Sequence, residues 1–376
     1  MTTPRLFSVL AFRGMVLSAV LLLGAVFTDS ARAATRVRRE IAVATVHPLA
    51  TRAGVDAYRR GGNAVDAAVA SALMLGVVDP QNSGIGGGCL ALVRLPNGRY
   101  VALDGREAAP AGASRDMFVR DGEAVPERSQ EGPLAAGVPG QLAALDFLVR
   151  HHGRRPLAEA LRAAADVAEH GFEVGEDLAG RLEGEAGIVR RYPEAAAIWL
   201  HPDGTPYRAG DRLRQPDLAR SYRAIADRGV RWFYRGEFAD RLDAWMRTNG
   251  GVLRKEDLAR YRAVRRETVI AKYRDCEVIG FPPPSSGGVH VAQILQVLSA
   301  FDVRGLGAGS ADLAHVTAEA MKRAFADRAY WLGDSDQTRV PRGLTDPAYT
   351  AAWAREITMD AAVPVATHGT PPGAWT

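Results

Sequence analysis

Lysine is almost absent from this chain of 376 residues: Lys255, Lys272 and Lys322 are the only ones among 47 basic side chains. The arginines that replace it are interleaved with 43 acidic residues, so the formal charge is only +4. No concentrated basic stripe for nucleic acid results. Cysteine is scarcer still. Cys89 and Cys276 cannot build a disulfide framework or a four-ligand zinc site. They could pair in an oxidising compartment; the preferred expectation is two buried free thiols. With 47% hydrophobic and 24% charged residues the chain is neither disordered, collagen-like nor a coiled coil. Long apolar runs are missing apart from Met15 to Phe27, broken by Ser18 and Gly24. That run falls short of the roughly 20 residues of a comfortable membrane span.

Arg5 and Arg13 precede this run, and Ala31-Arg32-Ala33 follows with small residues where a signal peptidase reads. The pattern predicts a signal peptide over residues 1–33, cut before Ala34, and hence a periplasmic or secreted protein. The two arginines are not adjacent, so a twin-arginine signal has no support, and an uncleaved anchor is the alternative. After the cut the formal charge falls to about +2, and no other stretch approaches a transmembrane helix.

Leu49, Ala53 and Ala57 recur at helical spacing until Gly61-Gly62, and Asn63 is a good N-cap for the next helix, with Asp66 in its first turn. Val65, Ala68, Val69, Ala72, Leu73 and Gly76 make one apolar stripe, which Met74, Leu75 and Val77 widen around the last turn. Cys89 to Leu95 reads as a buried strand, Pro96-Asn97-Gly98 as a turn, and Tyr100 to Leu103 as the returning arm. The middle is mainly helical: Pro156 sits at a first helical position and Gly171 ends that helix, with further helices near residues 216–227, 236–249 and 255–261. His151-His152 cap the apolar segment before them. Residues 273–280 read as one strand, followed by helices over 289–300 and 311–332. Beyond Ala361 the composition is that of an exposed linker.

Several chemical motifs fail. Gly84-Ile85-Gly86-Gly87-Gly88 precedes a strand, lacks GK[ST], and has Cys89 where the last glycine of a dinucleotide fingerprint belongs. These glycines are expected to permit positive φ or close approach of another group. There is no HExxH, no metal-ligand spacing among the eight histidines, and no GxSxG elbow. Ser285-Ser286-Gly287-Gly288 before a helix could bind an anion through backbone N–H groups, although ordinary N-capping is the simpler account. Arg106 follows Asp104-Gly105 at a strand end, where a guanidinium can grip a carboxylate with two parallel hydrogen bonds. Taken alone, an arginine beside Glu107 reads as a solvated charge pair.

In combination the motifs point further. Gly61-Gly62 before Asn63-Ala64-Val65-Asp66-Ala67-Ala68, then Pro80-Gln81 and Gly84–Gly88, resembles the start of the gamma-glutamyltransferases (glutathione hydrolases). Asp104-Gly105-Arg106-Glu107-Ala108-Ala109-Pro110 is similar to their next signature. Gly137-Val138-Pro139-Gly140, Pro282–Gly288 with His290, and Ala326-Asp327-Arg328 with Leu332-Gly333-Asp334 follow in family order. The resemblance runs from about Ile41 to Tyr349, and a set of spaced motifs in order is far more specific than any single one. Asp334-Ser335-Asp336 departs from the proline many relatives place between those acids.

The resemblance implies an α+β fold, the large-subunit part of an N-terminal nucleophile hydrolase αββα sandwich with many helices. It implies a precursor cut into two subunits, with a new N-terminal threonine attacking the γ-glutamyl carbonyl. An α-amino group titrates near about 8, so its neutral form can serve as base. Arg106 becomes the ligand for the substrate's α-carboxylate. No catalytic residue, metal or other cofactor is expected in this chain, which ends at Thr376 before any nucleophile-bearing sequence of the Thr-Thr-His type. The expected domains are a large-subunit-like region over 34–360 and a linker over 361–376. The expected partners are a small subunit and a γ-glutamyl substrate such as glutathione, without nucleic acid or, once the signal is cleaved, membrane. A cephalosporin-acylase-like relative and a catalytically dead binding module remain as alternatives.

Overall fold

The computed structural model describes residues 41–373; the predicted signal segment, its cut before Ala34, and the last three residues lie outside the described residues. Helix α1 (Pro48–Arg59) starts on a proline, with His47 Nδ1 accepting the Leu49 N–H at 3.2 Å. Helix α2 (Ala64–Val78) opens with the expected cap. Asn63 Oδ1 accepts the N–H groups of Val65 and Asp66 at 2.8 and 3.1 Å, and Asp66 returns a bond to the Asn63 N–H at 2.7 Å. Asp66 does more than favour the helix dipole. It is buried, and its carboxylate also accepts the backbone N–H groups of Arg154 and Arg155. One carboxylate thus pins a distant loop to the start of α2.

Strand β1 (Cys89–Arg94) and strand β2 (Tyr100–Gly105) form the expected antiparallel hairpin, with Gly98 at φ +82° in its turn. Helix α3 (Gln141–His152) packs on β2, and helix α4 (Leu157–His170) runs against α2. Pro156 sits one place before α4 rather than in it, and Gly171 ends it at φ +85°. Helices α5 (Glu176–Val189), α6 (Pro216–Arg228) and α7 (Glu237–Thr248) complete the middle, with α6 packed along α4. Leu73, Leu103, Leu142, Leu161, Tyr222 and Phe233 are among the large, fully enclosed side chains of this core. The all-round apolarity of α2 follows from its place, since α1, α3 and α4 all pack against it.

Strand β3 (Val264–Arg266) adds to the free edge of β2, pairing Asp104 with Val264 and Ala102 with Arg266. The sheet order is β1-β2-β3, so β2 is central and enclosed while β1 is an edge. The expectation that β1 would be buried is corrected here: Leu90 and Leu92 are 38% and 42% exposed, because only alternate residues face the covering helices.

The predicted strand over 273–280 is a hairpin, strand β4 (Val269–Tyr273) and strand β5 (Cys276–Gly280), turned by Arg274 at φ +56°. Helix α8 (Gly287–Leu298) lies on it, so close that a Cβ at Gly288 would strike the Gly280 and Phe281 backbone. Helix α9 (Ala311–Trp331) and helix α10 (Pro347–Glu356) pack on α8 around Val297, Val316, Ala320 and Trp353. The α+β class is as expected. Both thiols are free, Cys276 lies exposed rather than buried, and burial pushes the half-enclosed Cys89 up to about 11.

The segment past Ala361, linker-like in composition, is held along α9. Lys322 Nζ donates to the Val363 carbonyl at 2.6 Å, Trp331 Nε1 to the Gly369 carbonyl at 3.0 Å, and the His368 ring stacks on Tyr330 at 3.6 Å. The Gly369 N–H donates to Asp327, fully buried on α9, at 2.9 Å. Tyr349 and Gln293 donate to the same carboxylate. Burial nonetheless pushes the Asp327 carboxyl upward.

Candidate functional site

The end of β2 opens onto a cavity of about 1050 Å³. Its walls are residues 104–113, the Arg260–Arg262 turn, the Pro284–Ser286 loop before α8, Arg328 of α9, and residues 334–337. Arg106 sits where β2 leaves the sheet. Its backbone is fixed twice: its N–H donates to Asp104 Oδ1 at 2.8 Å, and its carbonyl accepts the Tyr261 hydroxyl at 2.7 Å. Its guanidinium is hardly held at all. The side chain is 68% exposed, and Nε lies 3.8 Å from Glu107 Oε2, beyond hydrogen-bond reach. A pinned backbone carrying an uncommitted guanidinium suits recognition of a planar anion.

Asp104 fixes that geometry from beneath. Its second oxygen accepts Arg266 Nε at 2.9 Å, and Arg266 reaches Asp336 with two further bonds of 2.6 and 2.8 Å. The Arg266 bonds hold the Asp336 carboxyl below the usual carboxylate range, and the paired carboxylates in turn push Arg266 upward. β2, β3 and the 334–336 loop are therefore joined by one charged chain whose free end is Arg106.

The glycine-rich turn has a structural part here. Gly87 O accepts the Gly140 and Gln141 N–H groups at 2.9 and 3.0 Å, at the start of α3, and a Cβ on Gly88 would collide with the Glu107 carboxylate. Ser285 and Ser286 line the same cavity as Arg106, but no histidine does. His290 is buried on α8 with its Nε2 unpartnered; burial, then the nearby Arg328 charge, lowers its pKa. Among the described residues no group of acids, histidines and cysteines is arranged to hold a metal ion. An exposed guanidinium on a fixed backbone is an arrangement suited to an anion.

Sequence reading singled out Arg106 and missed Tyr261, Arg266 and the pairing role of Asp104. Asp104 and Asp336 both lay within quoted motifs. Arg266, close to Arg262 and Arg265 in sequence, carried no local signal.

The sequence model of the family described as Gamma-glutamyltranspeptidase matches residues 50–373. This chain belongs to that family. The chain is 42% identical over 324 residues to a glutathione hydrolase proenzyme of Escherichia coli (strain K12), covering 86% of itself and 56% of the relative. It is also 42% identical over 328 residues to an acylase ACY 1 proenzyme of Pseudomonas sp. (strain V22), covering 85% and 59%. It thus spans a little over half the length of these curated relatives. Among solved structures, a Helicobacter pylori gamma-glutamyltranspeptidase chain superposes with a TM-score of 0.84 at 37% identity, with 87% of this chain and 95% of that one covered. The fold is therefore that of the gamma-glutamyltranspeptidases, as the spaced motifs implied.

Proposed function

We propose that this chain is the large, substrate-gripping part of an enzyme that cleaves γ-glutamyl amide bonds, those of glutathione and γ-glutamyl conjugates included, and passes the glutamyl group to water or to amino acid and peptide acceptors. The observation that carries the reading is Arg106, its backbone bonded on both sides and its guanidinium open to a cavity of about 1050 Å³. A γ-glutamyl group ends in an α-amino acid, and its carboxylate is the planar anion such a guanidinium binds. The attacking threonine belongs to a second segment that assembles with this chain as a heterodimer. Relatives named as proenzymes support that division. Residues 1–33 act as a cleaved signal, which places the mature protein in the periplasm or outside the cell. Among the described residues no helix is long and apolar enough to cross a membrane.

Activity on a γ-glutamyl anilide, measured with the nucleophile-bearing segment supplied, tests the reading. Arg106→Ala should raise KM by about tenfold or more with little change in kcat, the signature of a lost charge-assisted contact. Unchanged KM would remove Arg106 from the site. The acylase reading stands beside it because the identity to the Pseudomonas acylase is equally high. A glutaryl anilide, which keeps that carboxylate but lacks the α-amino group of a γ-glutamyl donor, separates the two: an acylase should accept it, whereas a transferase that reads the whole α-amino acid end should not.

A further inference from the structure

We propose that Arg328 and Ser286 form a second carboxylate subsite, on the α8–α9 side of the cavity that Arg106 enters from the β2 side. The inference deepens the γ-glutamyl reading and rests on it. It assigns this enzyme leaving groups and acceptors that end in a free carboxylate, as peptides do.

The Ser285–Gly288 loop had two accounts, capping and anion binding, and the structure separates the two serines. Ser285 Oγ accepts the Gly287 N–H at 3.2 Å, a capping-type bond. Ser286, the residue preceding α8, makes no side-chain cap. Its hydroxyl instead meets Arg328 Nε at 3.4 Å. That contact ties the α8 N-terminus to α9 and leaves both Nη atoms of Arg328 uncommitted.

The guanidinium groups of the cavity divide in the same way. Arg260 is taken by Asp257 at 2.9 Å, Arg266 by Asp104 and Asp336, and Arg262 Nη1 by the Ala259 and Tyr261 carbonyls. Among the described residues, no carboxylate lies within salt-bridge distance of Arg328, which is exposed. Asp334 shares the wall, but one of its oxygens accepts the Asp336 N–H at 3.0 Å. Asp336 shares Arg266 with Asp104. The first turn of α8 adds its dipole to the Arg328 charge. His290, one turn into α8, feels that charge. A cavity with an exposed guanidinium on each of two walls, Arg106 on one and Arg328 on the other, fits a ligand with an anionic group at each end, and a γ-glutamyl peptide has that form.

The test compares two donors that differ in one group: a γ-glutamyl dipeptide with a free C-terminal carboxylate, and the same dipeptide as its C-terminal amide. In the assembled enzyme, Arg328→Gln should lower kcat/KM for the free acid by about tenfold or more, the usual scale for a hydrogen bond to a charged group, and for the amide by about twofold or less. Arg328→Lys should recover part of the loss, because charge survives and the planar fork does not. Ser286→Ala should shift the same ratio in the same direction with the fold undisturbed, which covers the case of a poorly folding arginine variant. Equal losses on both donors, or none on either, would overturn the subsite and make Arg328 a structural or interface residue. Failure of the unmodified assembly to cleave either donor would sink the γ-glutamyl reading itself, an outcome distinct from equal losses.

Discussion

Asp104 meets Arg266 through one carboxylate oxygen, at 2.8 Å from Nη2, while its other oxygen accepts the backbone N–H of Arg106. Both partners of that ion pair are nearly enclosed, at 6% and 12% side-chain exposure. Removing one leaves the other without full compensation. Asp104→Ala should therefore destabilise the protein by about 2–3 kcal/mol, less than a fully isolated pair would lose because Arg266 keeps Asp336. Chemical denaturation checks the stability. KM for a γ-glutamyl anilide should rise as well, because the Arg106 backbone loses one of its two fixings.

Asp66 gathers backbone N–H groups from Asn63, Arg154 and Arg155 in a buried place. Replacement by alanine strands several of these donors, so Asp66→Ala should cost about 2–4 kcal/mol. Asp66→Asn should cost less, since one amide oxygen still accepts. Urea unfolding of the two variants gives the ranking, and an Asn variant as unstable as the Ala variant would contradict it.

His290 bears on the acid limb of stability. Its pKa is lowered from 6.5, chiefly by burial and then by the Arg328 charge. A histidine depressed in the folded state binds its proton more readily when unfolded. Stability is therefore undiminished above the unfolded pKa and falls as pH drops below it. Across pH 7.5 to 5.5, about the range over which an unperturbed histidine titrates, the melting temperature should fall less in His290→Gln than in the unmodified chain. Parallel curves would show that His290 charges freely in the native state.

Tyr349 donates to the buried Asp327 carboxylate that also accepts the Gly369 N–H. Tyr349→Phe should cost about 1–3 kcal/mol, since it removes a donor from a buried acid. Limited proteolysis should then cut near residues 361–373 sooner than in the unmodified chain. Unaltered cleavage there would mean that the segment is held without Asp327.

Leu90 and Leu92 stand exposed on an edge strand, where apolar side chains and unpaired backbone invite association. Residues 34–376 produced alone should self-associate in light scattering, and Leu90→Thr with Leu92→Thr should reduce it without lowering the melting temperature. A monodisperse unmodified chain would remove the premise.

Much of this was legible in the chain because the signals are local. The Asn63 cap, the Pro96-Asn97-Gly98 hairpin and the helices of the middle region depend on neighbours a few residues away, and each lies within a residue or two of its expected position. What escaped depends on partners far along the chain. The three residues of β3 become a strand only by joining β2, and the exposure of β1 follows from its place at the edge. The β4–β5 hairpin hid behind Arg274, whose left-handed backbone ordinary turn signals do not announce. Arg106 was visible through its motif, whereas Tyr261 reaches it, and Arg266 reaches Asp104 beside it, only through the fold.

The pairing of β2 with β3 also sets an order in time. Asp104 must wait for Val264, roughly 160 residues later, and at the ~5–20 residues per second of chain synthesis that is on the order of ten seconds or more. Through that interval one side of the future central strand is bare on the nascent chain. Closing so long a loop is entropically slow. The whole helical middle therefore exists as chain before the central strand of the sheet can gain its second partner.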